Sequence, residues 1–278
     1  MTELPVEPQT TPPQRRRRFV RIPMRYVLPN LVTLLGLALG LTSIRFAIEG
    51  RYELAILAIA GAAVLDGLDG RLARALNGQS RFGAELDSLA DFIDFGVAPA
   101  MLLYLWSLHE IKNAGWFACM VYVIACALRL ARFNVMIDDP NKPKWAGQFF
   151  TGMPSPAGAI VVLLPIYLHL SVFHIPQDKT TAPIIMLYVL LVAFLLVSRI
   201  PHFSGKQIGR VPREYFLVIM LAAVAGILLL ASFPTEVLVL LTFLYLALIP
   251  VAWRRYKALE AADAKVAEPA EAPPAAQP

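Results

Sequence analysis

Long apolar runs alternate with short polar segments along most of this chain. Each run approaches the roughly 20 mostly apolar residues that an α-helix needs to cross a bilayer. Prolines often stand between the runs, where they end helices because they have no N–H donor. The pattern predicts eight transmembrane helices, at approximately Leu31–Ile48, Glu53–Leu76, Ala84–Leu108, Gly115–Phe133, Pro156–Phe173, Pro183–Ile200, Tyr215–Phe233 and Val237–Trp253. We therefore expect an all-α fold, a polytopic membrane helix bundle.

The composition supports this fold class. Hydrophobic residues make up 58% of the chain and the mean hydropathy is +0.60, which is typical of membrane proteins. The net charge of +5 does not indicate a nucleic-acid partner, because the cations lie at the ends of the apolar runs. If both termini are inside, the inner segments hold 21 of the 25 Lys and Arg residues. The positive-inside rule then predicts cytoplasmic termini.

We expect three regions along the chain. Residues 1–27 are polar, proline-rich and basic, which predicts a disordered segment attracted to anionic lipid. Residues 28–257 hold all the predicted spans and form the membrane domain. Residues 258–278 are rich in alanine and proline and are expected to be disordered.

One stretch inside the apolar region is strongly charged: DGLDGRLARALNGQSRFGAELDSLAD. Charged side chains at membrane depth are costly and usually line a functional cavity. Asp66 and Asp69 are three residues apart and Asp87 and Asp91 are four apart, so each pair shares a helix face. The intervening NGQSRFG predicts a turn, and the resulting helix hairpin would gather all four carboxylates. Such a cluster suits a hard divalent cation, Mg²⁺ or Mn²⁺.

Other residues near these acids predict a diphosphate site. Gly70 allows close backbone approach, and Arg74 can hold phosphate oxygens with two parallel hydrogen bonds. Pro29 and Asn30 open the first predicted helix, where we expect Asn30 to be the N-cap. A carboxylate-bound metal, a glycine and an arginine at one place are what handling a diphosphate requires.

The charged stretch resembles the signature of the CDP-alcohol phosphatidyltransferase family. The pattern D-x2-D-G-x2-A-R-x8-G-x3-D-x3-D fits at every fixed position, namely Asp66, Asp69, Gly70, Ala73, Arg74, Gly83, Asp87 and Asp91. The resemblance extends from about Arg25 to Ala159. It implies a six-helix catalytic core, two divalent ions and a homodimer in the bacterial cytoplasmic membrane, with the active site on the cytoplasmic side.

The resemblance also implies roles for single residues. Asp66 would bridge two metal ions, Asp69 would bind the first ion, and Asp87 would bind both. Asp91 would bind the second ion and act as general base on the acceptor hydroxyl. The substrate diphosphate and nucleotide would be held by Pro29, Asn30, Gly70, Arg74, Ser80 and Gly83.

Two further runs resemble the phosphatidylserine synthase branch of this family, LRLARFN (Leu128–Asn134) and FTGMPSPAG (Phe150–Gly158). Their likeness implies CDP-diacylglycerol and L-serine as substrates, with phosphatidylserine and CMP as products. Arg129 and Arg132 are candidates for the acceptor side, although snorkelling to the membrane surface would also explain them.

Two alternatives remain open. A sister transferase would use glycerol phosphate, inositol phosphate or choline, and a phosphorylated acceptor would need further cations such as Lys142 and Lys144. An alternative of a different class is a cation transporter that uses the aspartates as its ion site. Transport would not require Gly70 and Arg74, and it predicts carboxylates along a path through the bilayer.

For some polar residues the sequence predicts no catalytic or metal-binding role. Asp94 lies three residues after Asp91 and is expected to line the cavity or support the site, without binding metal. The four histidines, His202 among them, form no ligand spacing and are expected at the membrane interface. The last three spans are expected to be apolar packing.

Overall fold

The computed structural model describes residues 23–137, 147–203 and 216–267. The first half of the fold is a series of long helices. Its elements are α1 (Met24–Ile48), α2 (Tyr52–Ala75), α3 (Arg81–Asp91), a π-helical turn (Phe92–Val97), α4 (Ala98–Trp106), a 3₁₀ turn (Leu108–Ile111) and α5 (Asn113–Ile137). α3, the π turn and α4 follow one another without a break and act as one membrane segment, Arg81–Trp106.

The second half contains shorter elements and a small sheet. They are β1 (Phe149–Thr151), α6 (Ser155–Val162), α7 (Leu164–Leu170), α8 (Ala182–Val197), β2 (Pro201–Phe203), α9 (Phe216–Ser232) and α10 (Pro234–Ala267). β1 and β2 pair antiparallel, with Phe150 opposite His202. The hydropathy pattern did not predict these strands, because each has only three residues.

α1 packs against its neighbours through a stripe of small residues. Its buried positions recur every three or four residues and are Pro29, Thr33, Gly36, Gly40, Ser43 and Ala47. Small side chains allow helix backbones to approach closely, which drives helix association in lipid. The large residues of α1, such as Leu35 and Leu41, are about half exposed and face outward, as lipid-facing side chains do.

The core lies where α4, α5 and the second half of the chain meet. Trp106, Tyr122 and Tyr167 are among its largest fully buried side chains. The Tyr122 hydroxyl donates to the Phe95 carbonyl oxygen over 2.9 Å, which satisfies its polar end inside the apolar core.

The all-α fold class is confirmed, and the apolar helices identify an integral membrane protein. Among the described residues, four helices are long and apolar enough to cross a membrane: Met24–Ile48, Arg81–Trp106, Asn113–Met136 and Pro234–Asp263. α2 is not among them because Asp66, Asp69 and Arg71 interrupt its apolar run. The full number of eight stays a prediction.

Two predicted boundaries were wrong. The fifth predicted span is divided into α6 and α7, because Pro165 stands in the first turn of α7 and cannot donate a hydrogen bond to the preceding turn. The terminal region expected to be disordered from residue 258 is helical through Ala267 at the end of α10. The N-terminal segment lies largely outside the described residues.

Candidate active site

The acidic residues meet where α2 ends and α3 begins. Asp66, Asp69 and Asp87 each place a carboxylate oxygen so that the three atoms lie within 4.8 Å of one another. The loop between the two helices reverses the chain tightly, since Asn77 has a positive φ of 49°. The predicted helix hairpin is therefore present, and it brings together carboxylates from both of its helices.

These three carboxylates fit a divalent cation. Oxygen donors are the ligands that Mg²⁺ and Mn²⁺ prefer, and like charges this close repel one another unless a cation or protons neutralise them. Asp69 is only 4% exposed, which makes the uncompensated charge still more costly. The donor set supports a metal site with Asp66, Asp69 and Asp87 as its ligands.

A hydroxyl from α1 orients one of these carboxylates. Thr33 Oγ1 donates to Asp69 Oδ2 over 2.6 Å, and it also lies 3.2 Å from the carbonyl oxygen of Pro29. Both Thr33 and Asp69 are buried. Partners of this kind fix the direction of a metal-binding group. The sequence analysis assigned no role to Thr33; its position one helical turn after Pro29 was the available signal.

Asp91 lies beside the three carboxylates and is not one of them. Its carboxyl group is within hydrogen-bonding reach of Asp66 and interacts electrostatically with Asp87 and Arg129. Asp91 therefore interacts both with the group of three carboxylates and with the arginine of α5.

A cavity of about 410 Å³ opens next to the carboxylates. All six residues predicted to bind the substrate line it: Pro29, Asn30, Gly70, Arg74, Ser80 and Gly83. Asp69 and Asp87 form part of the same wall. The Arg74 guanidinium forms no ion pair with any described residue, so its donors are available to a ligand.

Asn30 contacts α3 and does not cap α1. We expected Asn30 to be the N-cap, which was wrong: α1 begins nearly two turns earlier, at Met24. A Cβ atom on Gly83 would lie 2.9 Å from Asn30 Oδ1 and 3.1 Å from Ser80 Oγ, so a larger residue would have to displace the Asn30 side chain. Ser80 caps α3, because its Oγ accepts a hydrogen bond of 3.0 Å from the Gly83 amide.

Gly70 has a different reason to be glycine. A Cβ atom there would meet only Arg74 Nη1, at an ordinary 3.6 Å, so the protein itself leaves room for a side chain. Because Gly70 lines the cavity, the space is available to a ligand that approaches the backbone closely.

Asp94 is buried outside the group of three carboxylates, although it interacts electrostatically with Asp66. It belongs to the π-helical turn, a distortion that is frequent at functional sites, and is 3% exposed. Its carboxyl group lies against α1, where a Cβ atom on Gly40 would be 2.8 Å from Asp94 Cγ. The Oδ1 atom has no hydrogen-bond partner among the described residues. Asp94 thus lies at the α1 seam, outside the group of three metal-binding candidates.

The two arginines of α5 have separate environments. Arg129 is 8% exposed, donates to Ser155 Oγ over 3.0 Å, and interacts electrostatically with Asp91 and Asp66. Arg132 donates through Nη1 to the carbonyl oxygens of Val197, over 2.6 Å, and Ser198, over 3.3 Å. Arg129 therefore faces the acids, whereas Arg132 holds the last carbonyls of α8.

Two polar residues of the second half form a stacked pair, and one of them interacts with Arg129. Tyr245 of α10 interacts electrostatically with Arg129, and its ring stacks on His202 of β2. We expected His202 at the membrane interface and the last spans to be apolar packing. His202 is 2% exposed, so its ring is enclosed by protein, and α10 contributes a buried hydroxyl group at Tyr245 to the otherwise apolar last spans. Lys142 and Lys144 lie outside the described residues.

Comparison with known proteins identifies the family. The model of the CDP-alcohol phosphatidyltransferase family matches residues 26–200. A CDP-diacylglycerol–serine O-phosphatidyltransferase of Mycobacterium leprae is 42% identical over 232 residues, which cover 83% of this chain and 75% of that protein.

Proteins of the same name from two other bacteria are also similar. The one from Mycobacterium tuberculosis is 39% identical over 242 residues, covering 86% of this chain and 82% of the relative. The one from Helicobacter pylori is 34% identical over 197 residues, covering 70% of this chain and 79% of the relative. The family match at residues 26–200 therefore includes the acidic hairpin and both runs, Leu128–Asn134 and Phe150–Gly158.

Proposed function

Because this chain belongs to the CDP-alcohol phosphatidyltransferase family, we propose that it transfers the phosphatidyl group of CDP-diacylglycerol to L-serine, giving phosphatidylserine and CMP. The proposal rests on one observation: the candidate metal ligands and the candidate diphosphate-binding residues line the same cavity. Asp69 and Asp87, which are candidate metal ligands, line it together with Gly70 and Arg74. A diphosphate bound there would lie between the metal-binding oxygens and a free guanidinium.

In this proposal the first half of the chain binds and orients the nucleotide. Arg74 offers parallel donors to the diphosphate oxygens, and Gly70 lets them approach the backbone. Asn30 and Ser80 form the neighbouring wall of the cavity. Divalent cations held by Asp66, Asp69 and Asp87, with Asp91 as a further ligand, would neutralise the diphosphate and stabilise CMP as leaving group.

Asp91 is the proposed general base. It takes the proton from the serine hydroxyl while the hydroxyl oxygen attacks the phosphorus that carries the diacylglycerol. The new oxygen–phosphorus bond forms as the bond between that phosphorus and the CMP oxygen breaks. Asp91 interacts with both Asp66 and Arg129, which supports its role as the base. An acceptor bound beside Arg129 would present its hydroxyl group to Asp91.

Arg129 supports serine as the acceptor. A buried guanidinium needs an anionic partner, and a carboxylate can pair with it through two hydrogen bonds. A phosphorylated acceptor would call for further cations. Arg132 already donates to the carbonyl oxygens of α8, which favours the acceptor with the smaller charge. The names of the relatives agree with serine.

We also propose that the site and both termini face the cytoplasm of a bacterial cell, and that the protein acts as a homodimer. The excess of Lys and Arg in the predicted inner segments supports the orientation. A cation transporter is disfavoured, because the three metal-binding candidates form a single cluster and are not spread along a path through the bilayer.

The proposal is tested with purified protein, CDP-diacylglycerol and a panel of alcohols containing L-serine, glycerol 3-phosphate, inositol phosphate and choline. We expect CMP release and phosphatidylserine with L-serine, and loss of both when a chelator removes divalent ions. A different lipid product would assign another acceptor. Full turnover in chelator would exclude the metal site, and absence of CMP release with every alcohol would exclude a transferase.

A further inference from the structure

Two buried polar atoms near Arg129 have no hydrogen-bond partner within the described ranges, Nε2 of His202 and the hydroxyl oxygen of Tyr245. His202 is 2% exposed, so solvent does not satisfy its ring. More than nine in ten buried polar groups in folded proteins are hydrogen-bonded, and an unpaired one needs an explanation. The two rings stack on each other, with centroids 5.8 Å apart and planes inclined by 16°.

The hydrogen bonding of His202 defines what its free nitrogen can do. Nδ1 lies 2.8 Å from the carbonyl oxygen of Ile200, which can only accept, so Nδ1 carries the proton. Burial lowers the pKa of His202 below its ordinary value, and the ring is neutral at pH 7. Nε2 is therefore an unprotonated acceptor, and it requires a donor.

The surroundings of His202 connect its Nε2 atom to the part of the candidate active site where the acceptor substrate is proposed to bind. Tyr245 interacts electrostatically with Arg129, which faces Asp91. His202 is also paired across the sheet with Phe150, whose ring contacts that of Phe133, with centroids 6.3 Å apart. The Arg129 guanidinium in turn lies 5.1 Å from the centre of the Phe133 ring. His202 is thus linked to Arg129 by two series of contacts, one through Tyr245 and one through Phe150 and Phe133.

We propose that His202 and Tyr245 complete the acceptor site by receiving the ammonium group of an amino-acid acceptor. This inference rests on the proposed function, in which Arg129 binds the acceptor carboxylate. An α-amino acid carries a cationic donor group one carbon away from that carboxylate. The neutral Nε2 atom and the phenol oxygen supply acceptors without adding a charge, and they set the preference for serine over alcohols that lack an amino group.

The test compares kinetic constants of the full-length enzyme and two variants that keep an aromatic ring, His202→Phe and Tyr245→Phe. We expect KM for L-serine to rise about ten- to hundredfold in each, which is the usual effect of removing a hydrogen bond to a charged group. KM for CDP-diacylglycerol should stay within about twofold, because the nucleotide cavity is unchanged. The preference for L-serine over 3-hydroxypropanoate, which lacks the ammonium group, should fall in parallel.

His169→Phe is the matched control. His169 also places Nδ1 against a carbonyl oxygen, that of Ile175 at 2.7 Å, and packs its ring on an aromatic residue, Trp106. Its loss should leave KM for L-serine unchanged. The thermal midpoint of each variant separates a folding defect from a binding defect, and Tyr245→Phe alone decides the matter where His202→Phe does not fold.

Three results would contradict the assignment. An unchanged KM for L-serine in Tyr245→Phe would overturn it while leaving the proposed function intact. If both variants have a lower thermal midpoint but an unchanged preference for L-serine, His202 and Tyr245 contribute only to packing. Wild-type enzyme that makes no product from L-serine, but releases CMP with another alcohol, would overturn the serine acceptor and this inference together.

Discussion

The hydrogen bond from Thr33 to Asp69 provides the sharpest test of the metal site, because it can be removed without touching a ligand. Thr33→Val keeps the shape of the side chain and deletes the Oγ1 atom, which lies 2.6 Å from Asp69 Oδ2. A hydrogen bond to a charged group contributes about 1.5–3 kcal/mol. At about 1.4 kcal/mol per factor of ten, its loss should weaken metal binding about ten- to hundredfold.

The assay measures initial rate against the concentration of Mg²⁺ or Mn²⁺. We expect the half-saturating metal concentration of Thr33→Val to rise by that factor, while the maximal rate at high metal recovers in large part. Thr33→Ser retains the hydroxyl and should behave like wild type. Thr42→Val is the control, since Thr42 is on the same helix and donates only to the carbonyl oxygen of Ala38, over 2.6 Å.

An unchanged metal requirement in Thr33→Val would refute the reasoning. It would mean that Asp69 is held by other contacts or does not bind metal. A defect shared by Thr33→Ser and Thr33→Val would point to packing of the methyl group against its neighbours. A defect in Thr42→Val of equal size would assign the effect to stability of α1, and not to Asp69.

The remaining predictions address the nucleotide cavity, the base and the orientation. Gly83→Ala would place a Cβ atom 2.9 Å from a side-chain oxygen of α1, so KM for CDP-diacylglycerol should rise about tenfold, whereas Gly67→Ala, with open space around its Cβ, should not. Asp91→Asn should lower turnover about 10²–10⁴-fold with little change in that KM; an equal loss of substrate binding would make Asp91 mainly a metal ligand. In a background without native cysteines, a cysteine at Gln79 should be labelled from the cytoplasm and one at Asn113 from the opposite side, and the reverse labelling would overturn the topology.

The acidic hairpin was predictable because its geometry is local. Residues three or four apart share a helix face, and a short turn returns the chain antiparallel, so the positions of Asp66, Asp69 and Asp87 follow from spacing alone. The same reasoning placed Asn30 incorrectly. It took Pro29 as the beginning of α1, but α1 begins at Met24 and continues through Pro29, which lies inside the helix in its second turn.

Contacts between distant parts of the chain were not predictable. Thr33 and Asp69 are 36 residues apart, and neither position shows a local pattern that links it to the other. The contact between Gly40 and Asp94 was likewise not predictable, because it depends on a π-helical turn that the hydropathy pattern does not reveal. A family signature records the ligands themselves, whereas the groups that orient them are visible only after the helices pack.

In the proposed function the two substrates bind to different parts of the fold, and this explains why the acceptor was harder to predict than the chemistry. The nucleotide cavity is formed by α1, α2 and α3, which are adjacent in sequence. The proposed acceptor site is formed by Arg129 of α5, His202 of β2 and Tyr245 of α10. The hydropathy pattern alone predicts only a membrane-spanning helix at α10. Arg132 holds the end of α8 just before β2, so α5 itself positions the strand that carries His202. A change of acceptor within this fold would therefore require coordinated changes in α5 and in the chain beyond α8, whereas the metal-binding hairpin could stay as it is.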